Sequence, residues 1–308
     1  MGRILTLSIL SIFSFGITAQ YLPEVDLATL AELNKNQKEI KVNFGFSSEK
    51  RLPDNYSLKK YSVVSDQTNS SSCTGFAVAN GAMTILYNMV NGITMWNEQH
   101  VNRFDPFYVY CSLKDPNDLD CISNGGCNCG SYIHEALDLI ENYGCKKAFL
   151  YPKLTCSSTL NKANLRAMID QTGAYSIDGW FNMVEYIETK SGYKTKIKIK
   201  DLKEVITMGN PIIAGINVGD DFRDLSSSSS KYSAPEHIEG GHAVTIIGYD
   251  DNKYGGAFHV LNSYGSDWGD DGYFWMSYDD FKNHADGAFV IYKENWDDWR
   301  ESISSDKF

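Results

Sequence analysis

Apolar residues recur at helical spacing in the first half of the chain and form short continuous runs in the second half. A helix is predicted from Cys73 towards Val90, because the serines before it are good N-cap residues and apolar positions within it fall on one face. Further helices are expected at 26–40, 131–142 and 201–208. Strands are expected at 212–218, 243–249, 257–262, 272–276 and 288–292, and the alternating run 193–200 is typical of a strand with one solvent face. Helices followed by strands predict an α+β fold of two lobes.

The two ends of the chain differ in character from its middle. Residues 1–19 carry a positive start, an apolar stretch and a small residue before Gln20, which is typical of a cleaved signal peptide. Residues 20–50 form a polar segment that is either a flexible leader or a short propeptide, and the two interpretations have equal weight. Residues 296–308 form an acidic tail without a recognisable motif. The folded domain is therefore expected at 51–295, with a helical lobe at about 65–165 and a β lobe at about 170–295.

Charge and length exclude several classes of protein. The net charge of -11 argues against a nucleic-acid partner, because phosphate binding needs concentrated Lys and Arg. The apolar N-terminal stretch is shorter than the roughly 20 residues that span a bilayer, so membrane insertion is not expected. We expect an exported, monomeric protein that needs no cofactor.

Six of the seven cysteines lie close together in the chain: Cys111, Cys121, Cys127, Cys129, Cys145 and Cys156. An oxidising compartment would let them form disulfides. The remaining cysteine, Cys73, stands apart, and an odd cysteine in an exported protein suggests a reactive thiol or an intermolecular bridge. A zinc site on Cys127 and Cys129 is a weaker alternative, since no second close pair of ligands is present.

Four residues in order along the chain could carry thiol chemistry: Gln67, Cys73, His242 and Asn262. A thiolate is stabilised by a helix N-terminus and by a nearby imidazolium, so a Cys–His pair can form an ion pair before substrate arrives. His242 opens a strand after two glycines, and Asn262 ends the next strand, where it could orient the imidazole. His259 lies inside a strand and is expected to be structural. A buried structural cysteine is the alternative for Cys73 when that residue is taken alone.

The wider motifs resemble those of the papain-like cysteine peptidases. The segment Gln67-Thr-Asn-Ser-Ser-Ser-Cys73-Thr-Gly-Phe76 is similar to that family's cysteine motif, and Gly126-Cys-Asn-Cys-Gly130 is similar to its Gly-Cys-Asn-Gly-Gly loop. Gly240-Gly-His242-Ala-Val244 matches its histidine strand. The segment from Asn262 to Phe274 closely matches its Asn-Ser-Trp-Gly signature.

This resemblance implies a fold and a set of roles. It predicts a papain-like arrangement with the cleft between a helical lobe carrying Cys73 and a β lobe carrying His242 and Asn262. Cys73 would be the nucleophile, His242 the acid and base, and Gln67 an oxyanion donor. Substrate contacts would come from Ser71, Gly130, Gly241 and Trp268. A Cys121–Cys156 bridge is implied, with two more bridges among Cys111, Cys127, Cys129 and Cys145.

Departures from the family pattern leave more than one function open. Thr74 replaces the usual Trp after the nucleophile, Tyr264 replaces a Trp that shields the Asn–His hydrogen bond, and Ser70 replaces a bridging cysteine. The favoured function is a secreted cysteine peptidase, an endopeptidase acting on extended peptide or protein substrates. The alternatives are a papain-like binding protein without catalysis and a thiol acyltransferase.

Overall fold

The computed structural model describes residues 26–36, 51–94, 103–115, 117–118, 121, 125–148, 154–158, 167, 175–233 and 235–299. The predicted signal peptide, residues 20–25 and 37–50 of the leader, and the tail beyond residue 299 lie outside the described residues. So does the last part of the helix expected at 26–40.

The helices of the described residues match the predicted ones closely and add others. They are α1 (Leu27–Asn36), α2 (the consecutive segments Cys73–Gly75, Phe76–Met83 and Thr84–Val90), α3 (Pro106–Leu113), α4 (Ile133–Tyr143), α5 (Ile199–Thr207) and α6 (Tyr278–His284). Helix α4 ends at Gly144, whose φ of 70° is the left-handed conformation that glycine adopts at little cost. Helix α3 was not predicted; Asp105 caps it by accepting hydrogen bonds from the backbone N–H groups of Phe107 and Tyr108.

Helix α2 begins at Cys73 and ends at Val90 as predicted, but its burial differs from the prediction. The sequence suggested one apolar face, whereas every residue from Cys73 to Asn88 is buried. Two causes account for this. The segment Phe76–Met83 is π-helical, which changes the residues that share a face. The helix also lies between strand β7 (Gly240–Asp250) on one side and α3 and α4 on the other, so it has no solvent side.

The β lobe is built on one large sheet. Its strands are β1 (Asn55–Ser57), β2 (Gly179–Asn182), β5 (Ile212–Val218), β6 (Lys231–Tyr232), β7 (Gly240–Asp250), β8 (Ala257–Leu261), β9 (Tyr273–Ser277) and β10 (Ala285–Tyr292). The spatial order is β2-β10-β5-β7-β8-β9-β6, with β1 paired to β7. A separate hairpin joins β3 (Glu185–Thr189) and β4 (Gly192–Lys196). All five predicted strands are therefore present, while the strand expected at 193–200 ends at Lys196.

Near each end of the described chain, a short segment packs against the other lobe. Strand β1 pairs with β7, so a segment before the helical lobe belongs to the sheet. At the other end, the buried Trp299 packs against Phe104 of the helical lobe. The folded body thus extends past the boundary expected at residue 295.

Close packing of α2 on the sheet sets the position of the cleft. Thr245 of β7 donates its hydroxyl to the backbone carbonyl of Ala77 over 3.0 Å. A Cβ on Gly81 would lie 2.0 Å from Thr245 Oγ1, so glycine is required there. These contacts hold the start of α2 against the start of β7, where Cys73 and His242 lie.

Candidate active site

Cys73 occupies the first residue of α2, with its side chain fully buried. The backbone N–H of Ala243 hydrogen-bonds to its sulfur, so the thiol lies beside the residue that follows His242. Cys73 and Ala243 belong to the same buried cluster. The predicted proximity of the cysteine segment and the histidine strand is therefore present in the structure.

His242 and Asn262 meet across β7 and the end of β8. His242 Nε2 lies 2.8 Å from Asn262 Oδ1. Because an amide oxygen can only accept, Nε2 carries the hydrogen and donates it. In the neutral imidazole this leaves Nδ1 unprotonated, and Nδ1 has no hydrogen-bond partner in the described part of the chain. The ring is thus oriented with its basic nitrogen available for proton transfer.

Burial controls the protonation of both groups. It raises the pKa of the Cys73 thiol to about 11, although backbone N–H groups of Ala243 and Thr74 act in the opposite direction. It lowers the pKa of His242 to about 4, with the hydrogen bond to Asn262 opposing and the charge of Arg223 assisting. Burial therefore favours the neutral thiol and the neutral imidazole. Desolvation acts against the Cys–His ion pair that the sequence allows, whereas the field of the helix N-terminus favours the thiolate.

Gln67 is held at the site by both ends of its amide. Its Oε1 accepts a hydrogen bond from Ser263 Oγ, and its Nε2 donates to the backbone carbonyl of Ser70 over 2.6 Å. One N–H of the side-chain amide is used in this contact, so the second can serve another acceptor. This geometry suits an oxyanion donor next to the nucleophile.

The segment before Cys73 is held in place by hydrogen bonds rather than by a disulfide. Ser70 Oγ donates to the backbone carbonyl of Gln67 over 2.6 Å, and it lies 2.6 Å from Ser72 Oγ. The backbone N–H of Ser71 donates to the carbonyl of Cys127 over 2.7 Å. The segment around Ser70 and the loop that carries Cys127 are therefore still in contact, although a serine at position 70 cannot form the disulfide that would join them.

The disulfides differ from those expected. The bridges in the described residues are Cys121–Cys129 and Cys127–Cys156, with Cα–Cα distances of 5.2 Å and 5.0 Å. The implied Cys121–Cys156 pairing was wrong. The expectation of three bridges was wrong as well, because Cys111 and Cys145 are free, buried thiols.

The local structure explains both free thiols. Cys111 lies on α3 and donates its S–H to the carbonyl of Thr155 over 3.2 Å. Cys145 is fully buried beside the isolated β-bridge that it forms with Tyr175. With no cysteine at position 70, Cys127 pairs with Cys156, which leaves Cys129 as the neighbour of Cys121.

The predicted substrate-contact residues lie around the same site but differ in exposure. Gly130 and Gly241 are half-buried, and Gly241 directly precedes His242. Ser71 is buried and Trp268 is 7% exposed. Trp268 Nε1 donates to the carbonyl of Phe222 over 3.2 Å. Contact with a substrate stays a prediction for all four.

Phe222 is a residue of the site that the sequence did not indicate. It lies in the 3-10 helix Asp220–Asp224, and its ring centroid is 5.3 Å from that of His242. The rings of Phe222, Tyr264 and Trp268 pack against one another, and Tyr264 lies 5.1 Å from His242. Tyr264 therefore covers the imidazole, as expected of the tryptophan that it replaces. The region 220–237 carries no motif that would have identified Phe222.

The alternative zinc site at Cys127 and Cys129 is excluded, because each of these cysteines belongs to a different disulfide. Within the described ranges no cluster of His, Cys, Asp and Glu is arranged to hold a metal ion. The helices placed in those ranges include none with the length and apolar character needed to cross a bilayer.

Comparison with known proteins agrees with this geometry. Residues 53–289 match the family described as "Papain family cysteine protease". The chain belongs to the papain family of cysteine proteases.

Curated relatives align over different lengths. A cathepsin B-like cysteine proteinase 3 of Ostertagia ostertagi is 34% identical over 87 residues, which are 28% of this chain and 49% of the relative. Fruit bromelain of Ananas comosus is 25% identical over 247 residues, 78% of this chain and 59% of the relative. The chain thus spans about half the length of these curated relatives.

Solved structures share the papain-like fold. Xylellain, a cysteine protease from Xylella fastidiosa, has a TM-score of 0.63 at 19% identity, covering 90% of this chain and 97% of that chain. The digestive procathepsin L2 proteinase from Tenebrio molitor larval midgut has a TM-score of 0.61 at 19% identity, covering 90% of this chain and 78% of that one. The predicted two-lobed α+β fold is confirmed.

Proposed function

We propose that the protein is an exported cysteine endopeptidase that hydrolyses peptide bonds through an acyl-enzyme on Cys73. The observation that carries this proposal is the His242–Asn262 hydrogen bond of 2.8 Å, which leaves Nδ1 free while Cys73 lies against the N–H of Ala243. A cysteine, an oriented base and an oxyanion donor are the groups that acyl transfer to a thiol requires.

The reaction follows from these groups in two stages. His242 Nδ1 takes the proton of the Cys73 thiol as the sulfur attacks the scissile carbonyl carbon. The backbone N–H of Cys73 and a Gln67 amide N–H stabilise the oxyanion that forms. The imidazolium then protonates the leaving amine, the C–N bond breaks, and a thioester remains. Water attacks the thioester as His242 takes its proton. The C–S bond then breaks and the proton returns to sulfur.

Export is supported by two features of the chain. The predicted signal peptide begins it, and the bridges Cys121–Cys129 and Cys127–Cys156 suit an oxidising compartment. Peptides or proteins are the partners that this chemistry requires, and the protein acts as a monomer.

The leader would act as a propeptide that blocks the cleft. Helix α1 is docked on the folded body: Leu30 is 3% exposed, and Asn34 Nδ2 donates to the carbonyl of Val184 over 2.6 Å. Asp26 caps the helix through the N–H groups of Ala28 and Thr29. A flexible leader would not bury Leu30, so these contacts favour the propeptide interpretation.

Removal of residues 20–49 should raise the rate of peptide hydrolysis. Leu30→Ala should raise that rate in the uncut chain, whereas Glu32→Ala, at an exposed position of the same helix, should not.

Product analysis tests the proposed reaction. The protein is incubated with an internally cleavable peptide, alone and with an added amine, and the products are identified by mass. Hydrolysis at internal bonds that is lost in Cys73→Ala is the expected result. Products joined to the added amine, in preference to hydrolysis, would identify an acyltransferase. Binding without any cleavage by the leader-free protein would identify a binding protein instead.

A further inference from the structure

Ser70 is a fully buried serine whose hydroxyl helps to close the turn that carries Gln67. Ser70 Oγ donates a hydrogen bond to the backbone carbonyl of Gln67 over 2.6 Å, and the backbone N–H of Ser70 donates to the same carbonyl over 3.3 Å. The backbone bond defines a β-turn over residues 67–70. Because that bond is long for an N–H donor, the hydroxyl makes the closer contact across the turn.

The turn has a backbone conformation that its sequence disfavours. Thr68, at the first central position, has a φ of 55°. A β-branched residue with positive φ is an outlier, and glycine is the usual residue at such a position. Strain of this kind persists only where neighbouring contacts hold it.

Two side chains hold this conformation. The Thr68 N–H donates to Asp66 Oδ1 over 2.6 Å, but that bond is exposed to water. The bond from the Ser70 hydroxyl to the Gln67 carbonyl is buried. Since a hydrogen bond is electrostatically stronger in the protein interior than in water, Ser70 is the stronger restraint on the turn.

The same turn fixes the direction of the Gln67 side chain. Gln67 Oε1 accepts from Ser263 Oγ, and Nε2 donates to the carbonyl of Ser70 over 2.6 Å. The peptide group after Ser70 is also held on its other side, since the N–H of Ser71 donates to the carbonyl of Cys127 over 2.7 Å. The two hydrogens of an amide lie in one plane, so fixing one N–H fixes the other. The position of Ser70 therefore decides where the second N–H of Gln67 points.

A second buried serine joins this turn to the nucleophile. Ser72 is fully buried, and its Oγ lies 2.6 Å from Ser70 Oγ. The hydroxyl hydrogen of Ser70 goes to the Gln67 carbonyl, so Ser72 is the donor between the two serines. Ser72 directly precedes Cys73, whose backbone N–H is the other proposed oxyanion donor. One buried chain of hydrogen bonds thus links the segments that carry both donors.

We infer that Ser70 is a positioning residue for the oxyanion donor, because its hydroxyl holds the turn that directs the second Gln67 N–H towards the substrate carbonyl. Ser70 acts through Gln67 and takes no part in making or breaking bonds. This inference rests on the proposed peptidase function. A displaced donor stabilises the transition state less and changes the ground-state complex little, so the effect falls on kcat rather than KM.

Steady-state hydrolysis of one fluorogenic peptide by the leader-free protein measures this role. Ser70→Ala should lower kcat by about 10-fold and leave KM unchanged, whereas Gln67→Ala, which removes the whole donor, should lower kcat by about 100-fold or more. In the Gln67→Ala protein, Ser70→Ala should cause a further loss of less than about twofold, because the two residues act as one unit. The rate at which dipyridyl disulfide modifies Cys73 should be equal in the parent and in Ser70→Ala, since that reaction forms no oxyanion.

A second variant tests the turn itself. Thr68→Gly removes the unfavourable conformation, so the turn no longer depends on the Ser70 hydroxyl. Thr68→Gly combined with Ser70→Ala should therefore regain most of the kcat lost in Ser70→Ala. If Ser70→Ala alone is unfolded, Thr68→Gly should restore both the fold and kcat. A pair that stays unfolded, or that keeps the full loss of kcat, would contradict the inference.

Ser62 provides the matched control, because it is buried and has the same bonding pattern. Its backbone N–H and its hydroxyl both donate to the carbonyl of Lys59, over 3.1 Å and 2.7 Å, and its Oγ lies 2.8 Å from the hydroxyl of Tyr273. Ser62→Ala should lower the thermal stability as Ser70→Ala does and leave kcat unaltered.

Three results would overturn this inference while hydrolysis by the parent upholds the peptidase. They are an unaltered kcat in Ser70→Ala, a loss that persists in full in the Gln67→Ala protein, and an equal loss of kcat in Ser62→Ala. A parent that does not hydrolyse the peptide would contradict the proposed function and this inference together.

Discussion

Five strands of the β lobe were predicted correctly from the sequence, whereas the disulfides in the cysteine-rich part of the helical lobe were not. All five predicted strands are present, and β7 and β8 bring His242 and Asn262 to 2.8 Å. Between Cys111 and Cys156, by contrast, the one pairing that was expected is absent and two others take its place. A sheet has a period of two residues and a hydrogen-bond ladder, so its register follows from its pattern. Cysteine pairing depends on how loops approach in space, which spacing along the chain does not encode.

The largest expected effect is a loss of catalysis when the proposed general base in the β lobe, His242, is replaced. His242→Ala removes the proposed general base, so kcat for peptide hydrolysis should fall by about 10⁴-fold or more. His237→Ala is the control, because that side chain is 90% exposed. Comparable loss in both variants would contradict the assignment of the base.

The next largest effect is a loss of stability, which should differ between the two disulfides of the cysteine-rich region. Cys127–Cys156 closes a separation of 29 residues and Cys121–Cys129 one of 8. Loop entropy predicts that replacing the first pair by serine lowers the free energy of unfolding by about 3–4 kcal/mol, and the second by about 2–3 kcal/mol. Urea unfolding of the two double variants measures this. A reversed order, or a Cys121–Cys156 peptide in a non-reducing digest, would refute the observed pairing.

A smaller effect is expected where the lobes touch. Gly81→Ala would force a methyl group against Thr245 Oγ1, which lies 2.0 Å from the Cβ position, and overpacking of this kind costs about 1–3 kcal/mol. Gly92→Ala serves as a comparison, since nothing lies within 4 Å of its Cβ position and only its φ of 65° is unfavourable. If Gly81→Ala is no less stable than Gly92→Ala by thermal unfolding, the contact between α2 and β7 is looser than described.

Much of the fold and site was accessible from sequence for identifiable reasons. Cys73 could be placed at a helix start because serines precede it, although the side chain of Ser72 at the N-cap makes no capping hydrogen bond. Gly144 could be placed at a helix end because glycine adopts positive φ. His242 and Asn262 could be assigned because each borders a strand of clear apolar pattern. These are local signals, and the tertiary structure reinforces each of them.

The features that sequence reasoning missed depend on contacts between distant segments. Phe222 packs against His242 from a short 3-10 helix that carries no sequence motif. The full burial of α2 depends on its packing against β7 on one side and α3 and α4 on the other. The effect of burial on the pKa values of Cys73 and His242 could not be read from the sequence, because burial is a property of the assembled site.

The central claim is that the fold activates one thiol, Cys73, through His242. Intact-mass analysis of labelling by a peptidyl epoxide tests it most directly, using protein freed of residues up to about Glu49. The account predicts a single adduct on the parent and on Cys111→Ala, none on Cys73→Ala, and much slower labelling of His242→Ala. A folded parent that forms no adduct, or a Cys73→Ala variant that labels as fast as the parent, would contradict it.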